Sequence, residues 1–174
     1  MDIRIRPART QDVPTIRSMV QPLATKRVLL DKDEVAYYES VQEFLVAENP
    51  DEDIVAFGAV HVMWEHLAEV RTLATADAYQ GRGVGGLVLN ALLDKAEDLG
   101  VQHVFCLTFE TSFFQKHGFE VMKDQSVLDP EVFNQLLLST DEGVAEFLDL
   151  ARVKPNTLGN TRMILDLAKR PQRD

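Results

Sequence analysis

Between residues 67 and 108 the hydrophobic period of the chain changes twice, and this limits the fold more than any other feature. Residues 54–63 and 67–74 are β-rich runs separated only by Trp64-Glu65-His66, so they read as antiparallel neighbours. Val84, Leu87, Val88, Ala91, Leu92, Lys95 and Leu99 then recur at helical spacing and form one amphipathic face, with Lys95 its single polar member. Gly100 is a natural residue to end that helix. His103-Val104-Phe105-Cys106-Leu107-Thr108 returns to a buried strand. Strand, helix and strand in this order make a right-handed crossover with parallel strands.

The flanking chain is consistent with one α+β domain over residues 1–174 built on a mixed sheet. Residues 3–6 alternate as a short strand. Thr10 and Asp12 offer N-caps for a helix to about residue 20, which Pro22 closes. Residues 31–40 carry a second helix, residues 44–47 a strand, and Asn49-Pro50-Asp51 a turn. After the crossover, a short helix over 112–117 stops at Gly118, and 119–122 start a strand. Residues 130–138 and 144–150 are helical, and 162–167 form a last strand. Helix 130–138 presents Val132, Phe133, Leu136 and Leu137 either to the sheet or to a partner subunit, which leaves a homodimer open.

Composition narrows the function classes. A net charge of −10 argues against non-specific nucleic-acid binding, which needs basic surface to displace counterions. A single cysteine, Cys106, excludes an internal disulfide and points to a reducing, cytoplasmic setting. No signal peptide is read at the N-terminus, and no window reaches the ~20 apolar residues of a membrane span. His61, His66, His103 and His117 lack metal-ligand spacing, so no metal is expected. Cys106 lies inside an apolar strand and reads as packed core, not as an activated nucleophile.

Gln80-Gly81-Arg82-Gly83-Val84-Gly85-Gly86 joins the second β run to the amphipathic helix. Glycines leave backbone N–H groups uncovered and the helix mouth adds partial positive charge, which together suit a pyrophosphate. Gly81, Gly83 and Gly86 also satisfy GxGxxG, with Glu110 placed as a ribose-binding acid would be in a nicotinamide-dependent oxidoreductase. Against that rival, residues 75–80 separate the strand from the first glycine. The chain before it is a meander of strands, and too little chain follows Glu110 for a second half.

At these residues the chain resembles the GCN5-related N-acetyltransferase (GNAT) family, whose pattern Gln/Arg-x-x-Gly-x-Gly/Ala is matched by Gln80, Gly83 and Gly85. AEVRTLATADAYQGRGVG, HVFCLT and FFQKHGF are similar, in order, to the family's fourth strand and its connection, its fifth strand and the motif after it. The likeness covers residues 3–122. It implies the GNAT fold, α/β/α, with a mostly antiparallel mixed sheet of six to seven strands and helices on both faces. Residues 123–174 are then a family-specific extension completing the sheet. It also implies acetyl-CoA as cosubstrate, its pantetheine held by backbone groups of Leu73, Ala74 and Thr75 and its diphosphate by Gln80, Gly81, Arg82, Gly83, Val84, Gly85 and Gly86. The Leu73 N–H would polarise the thioester carbonyl.

Glu69 lies eleven residues before Gln80, where some family members carry a general base; an ordinary salt-bridge role fits as well. Phe114 stands where many members have the tyrosine that protonates the leaving thiolate, and it cannot donate a proton. Thr108, Ser112, Tyr79 or water is left for that step, or the thiolate leaves unassisted. RTLAT, LTFETSFFQKHGF, GVAEFLDL and VKPNTLGNTRM are similar to the stand-alone amino-acid N-acetyltransferases that make N-acetylglutamate in arginine biosynthesis. The resemblance therefore implies glutamate as acceptor. Lys26, Arg27, Arg71, Lys154 and Arg162 are candidate cations for its carboxylates, and Asn160 and Thr161 are neutral hydrogen-bonding partners. Acetylation of another amine (glutamine, a polyamine, a protein N-terminus) and a non-catalytic CoA-binding sensor are the alternatives.

Overall fold

A computed structural model describes residues 2–29, 32–149 and 159–171. Its strands are β1 (Arg4–Pro7), β2 (Phe44–Glu48), β3 (Ile54–Trp64), β4 (Leu67–Thr75), β5 (His103–Thr108), β6 (Glu120–Val121) and β7 (Thr161–Asp166). They form a seven-stranded sheet in the order β1-β2-β3-β4-β5-β7-β6. β1–β2, β2–β3, β5–β7 and β6–β7 pair antiparallel, whereas β4–β5 is parallel. The parallel pair flanks α3 (Val84–Asp98), so the crossover read from the hydrophobic period is present. An open mixed sheet with helices makes this an α+β fold. The chain divides into two compact units, Met1–His61 with Val70–Ala96, and Val62–Glu69 with Glu97–Asp174.

In the first unit α1 (Val13–Thr25) buries Val13, Ile16 and Val20, whose spacing of three and four places them on one helix face. They pack with Tyr37 of α2 (Glu34–Glu39) and with Phe44, Val46, Phe57, Ala59 and Ala74. Asp12 is not an N-cap through its side chain. Residues Thr10–Asp12 form a 3-10 turn, and the Asp12 carboxylate accepts from the Arg9 N–H at 2.7 Å and from both Arg6 guanidinium nitrogens. Pro22 does not close α1, which runs on to Thr25. A proline removes only its own N–H bond, and the last turn re-forms through the Lys26 N–H to the Pro22 carbonyl.

The buried residues of α3 are Val84, Val88, Leu89, Leu92, Leu93 and Ala96, rotated from the expected face, with Leu87 and Leu99 exposed. Rows at a spacing of four (84, 88, 92, 96 and 89, 93) win over the row at three. Lys95 lies on the flank, its ammonium donating to the Gln42 carbonyl. Gly58 on β3 gives that helix room: a Cβ there would lie 2.8 Å from the Leu92 side chain.

In the second unit β5 bears the central side chain, Phe105. It clusters with Met63, Leu67, Leu136, Val144, Phe147 and Leu148, and meets the Phe147 ring edge-on at 5.2 Å. The helices here are α4 (Thr111–Lys116), α5 (Pro130–Leu136) and α6 (Glu142–Phe147), each within a few residues of its expected span. α6 begins earlier than expected because Asp141, not a residue nearer Val144, caps it through the Val144 N–H.

Candidate active site

The glycine segment lies wholly in the first unit. Gly81 and Gly83 have φ of 70° and 82°, with open space beside both. Such backbone is costly for any residue with a Cβ. Gln80 is exposed, and its amide donates to the Thr75 carbonyl and to Asp77 Oδ1, tying the loop back to the end of β4. The first intrahelical bond of α3 runs from Leu87 to Gly83. Among the described residues, no protein acceptor meets the amides of residues 81–86. An unpartnered run of N–H groups at a helix mouth fits a diphosphate.

β4 supplies the second feature. Its ladder with β5 covers only Leu67, Ala68 and Glu69, although the strands continue to Thr75 and Thr108. Thr72 has φ 56°, a left-handed residue inside a strand. For a β-branched side chain that conformation is strained, by ~1–3 kcal/mol. It breaks the two-residue alternation as a bulge does. Sequence carried no sign of it, because threonine favours ordinary strand. Leu73 and Thr75 are half-buried and Ala74 is buried.

Glu69 ends the second unit's share of β4 and is only 4% exposed. α6 presses on it: a Cβ built on Gly143 would overlap Glu69 Oε2. Thr108 is also buried, and its hydroxyl accepts from the Glu110 N–H at 2.8 Å. That leaves the hydroxyl hydrogen to donate elsewhere. Phe114 is packed between Phe113 and Phe119, with ring centroids 5.1 Å from each. Tyr79 accepts from the Asn49 amide, and the Arg82 guanidinium lies over its ring.

The candidate acceptor-binding residues fall in both units. Lys26 and Arg27 are exposed at the end of α1, Arg27 in the left-handed position that closes the helix. Arg71 is half-buried on β4. The β5–β7 register sets Thr161 opposite Thr108 and Arg162 opposite Leu107. Arg162 is engaged by Asp149 at 3.0 Å. The Asn160 side-chain oxygen is shielded from solvent without a hydrogen-bond partner among the described residues. Lys154 lies outside the described residues.

Cys106 is fully buried. Burial, and then the Glu69 carboxylate, push its thiol well above the usual range. A thiol held protonated is a poor nucleophile. Native protein at about pH 8 is therefore expected to resist iodoacetamide that modifies the unfolded chain, as read by intact mass. Rapid native alkylation would contradict this burial.

A mixed sheet whose parallel β4–β5 pair flanks a helix, with unpartnered amides at that helix's mouth, defines a protein suited to a diphosphate-bearing cosubstrate. The sequence model of the acetyltransferase (GNAT) family matches residues 15–119. An amino-acid acetyltransferase of Mycobacterium tuberculosis (strain ATCC 25618 / H37Rv) is 51% identical over 165 residues, covering 94% of each chain. The crystal structure of Rv2747 from Mycobacterium tuberculosis, in complex with CoA and NLQ, superposes with a TM-score of 0.87 at 49% identity, over 94% of this chain and 98% of that one. N-acetylglutamate synthase from Neisseria gonorrhoeae, complexed with coenzyme A and N-acetyl-glutamate, shares the fold alone: TM-score 0.75, 20% identity, 96% of this chain and 35% of that one. The chain belongs to the GNAT family of acetyltransferases, for which acetyl-CoA is the acetyl donor.

Proposed function

We propose that this acetyltransferase acts on the α-amino group of a free amino acid, with L-glutamate the preferred acceptor, as in the first step of arginine biosynthesis. The observation that carries the donor half is the row of unpartnered amides at residues 81–86. The acceptor half is supported by the 51% identity, over nearly the whole length, to a protein named as an amino-acid acetyltransferase. Glutamate is the acceptor implied by the resemblance carried by RTLAT, LTFETSFFQKHGF, GVAEFLDL and VKPNTLGNTRM.

In this reading the amides of residues 81–86 hold the diphosphate, and backbone groups of Leu73, Ala74 and Thr75 hold the pantetheine. Acetyl-CoA supplies the activated acetyl group; the protein supplies position and proton traffic. Glu69 takes the proton from the acceptor's ammonium, directly or through water, which frees the lone pair for attack. The Leu73 N–H donates to the carbonyl oxygen as negative charge develops there. The second proton that the attacking nitrogen must lose reaches the departing thiolate by relay through the Thr108 hydroxyl, or water, since Phe114 has none to give. Arg71 and Asn160 bind the acceptor, with Lys26, Arg27, Lys154, Thr161 and Arg162 as further candidates. The chain works as one cytoplasmic domain, and the exposed Leu137 and Leu138 after α5 offer a surface for a homodimer.

The test follows free thiol while the purified protein meets acetyl-CoA and single amines. Glutamate is expected to give the highest kcat/KM. Thiol release with a polyamine and none with glutamate would refute the acceptor assignment. Acetyl-CoA binding by calorimetry without release on any amine would indicate a sensor.

A further inference from the structure

Gly143 has no backbone reason to be glycine. It lies in the first turn of α6 with no positive φ, where almost any residue forms helix better. What a side chain there would have to displace is one group. A Cβ would overlap Glu69 Oε2 and lie 2.8 Å from the Glu69 Cδ and 3.0 Å from Oε1. All three atoms belong to a single carboxyl group.

The helix cannot step back to relieve such a clash. Val144, Ala145 and Phe147, which follow Gly143, are buried. The Phe147 ring meets Phe105, and Phe105 is the register partner of Glu69 in the β4–β5 ladder. Strand, ring and helix therefore fix the distance between Gly143 and Glu69 from both sides. Asp141, whose carboxylate accepts the Val144 N–H at 3.0 Å, holds the turn at its other end.

We infer that Gly143 is a positioning residue for the reaction, its bare Cα forming the wall that sets where the Glu69 carboxylate stands. The inference deepens the proposed function and rests on Glu69 as the proton acceptor. Gly143 touches neither the acceptor nor acetyl-CoA; it acts only through Glu69. An added methyl would turn the carboxylate away while leaving the diphosphate amides in place, because those belong to residues 81–86.

The experiment is a double-mutant cycle in the full chain. Gly143→Ala is expected to lower kcat at least about tenfold, part of what a general base contributes, with the affinity for acetyl-CoA unchanged. In a Glu69→Gln background the same change should add no further loss. A wild-type kcat in Gly143→Ala overturns the inference. Thermal melting reads the contact without turnover: Gly143→Ala should lower Tm in the wild type and not in Glu69→Ala, where the opposing carboxylate is gone. Equal losses of Tm in both backgrounds overturn it, also if the single variant barely folds. Full turnover by Glu69→Gln alone would instead remove Glu69 as base, and with it the catalytic role of Gly143, while the melting cycle would still report the packing.

Discussion

Glu69→Gln is expected to lower kcat by ~10²–10⁴-fold, the usual worth of a general base, with little change in acetyl-CoA affinity. The amide keeps the size of the side chain and its ability to accept a hydrogen bond, so the packing around Gly143 survives while the basic oxygen is lost. The amine would then have to arrive already deprotonated, a minor species for an α-ammonium near neutral pH. Raising the pH should therefore recover part of the lost rate in the variant. Steady-state kinetics with acetyl-CoA and glutamate, together with calorimetric acetyl-CoA binding, separate the two halves of the prediction. An unchanged kcat would return Glu69 to a structural role.

The second large effect is on stability. Arg6 on β1 donates to Asp12 Oδ2 at 2.6 Å and Oδ1 at 3.0 Å, and through Nε to Glu48 Oε1 at 2.7 Å. All three side chains are nearly buried, at 11%, 6% and 12% exposure. Arg6→Ala leaves two part-buried carboxylates without their shared cation, a change that costs ~1–3 kcal/mol. Urea unfolding should show that loss at neutral pH, and Arg6→Lys should recover only part of it, because an ammonium lacks the two-pronged fit. The Arg6 guanidinium holds the Asp12 carboxyl below its ordinary 3.8. A carboxyl depressed in the folded state stabilises fully above the unfolded value and less as pH falls through the folded one. The gap between wild type and Arg6→Ala should therefore be complete at neutral pH and shrink once pH drops below about 3.8. A gap constant with pH would mean that the network contributes little.

What could be read in the residue order is what short-range physics controls. The parallel crossover followed from apolar periods of two and then nearly four. The helix stops at Gly100 and Gly118 followed from backbone only glycine adopts easily, and both have left-handed φ. The glycine loop announced its uncovered amides for the same reason. Even there, the buried face of α3 was rotated from expectation, because the neighbours that choose between the rows at three and four are distant in the chain.

The order of residues alone thus determined the α+β class, the strand–loop–helix unit and its suitability for an anionic cofactor, since each depends on residues within a turn or two of one another. Only the tertiary structure decided that Thr72 is left-handed, that Asp12 serves Arg6 instead of capping α1, that Asp149 engages Arg162, and that Gly143 lies against Glu69. Those facts come from groups brought together by folding across tens of residues, where no local propensity reports which side chain will face which.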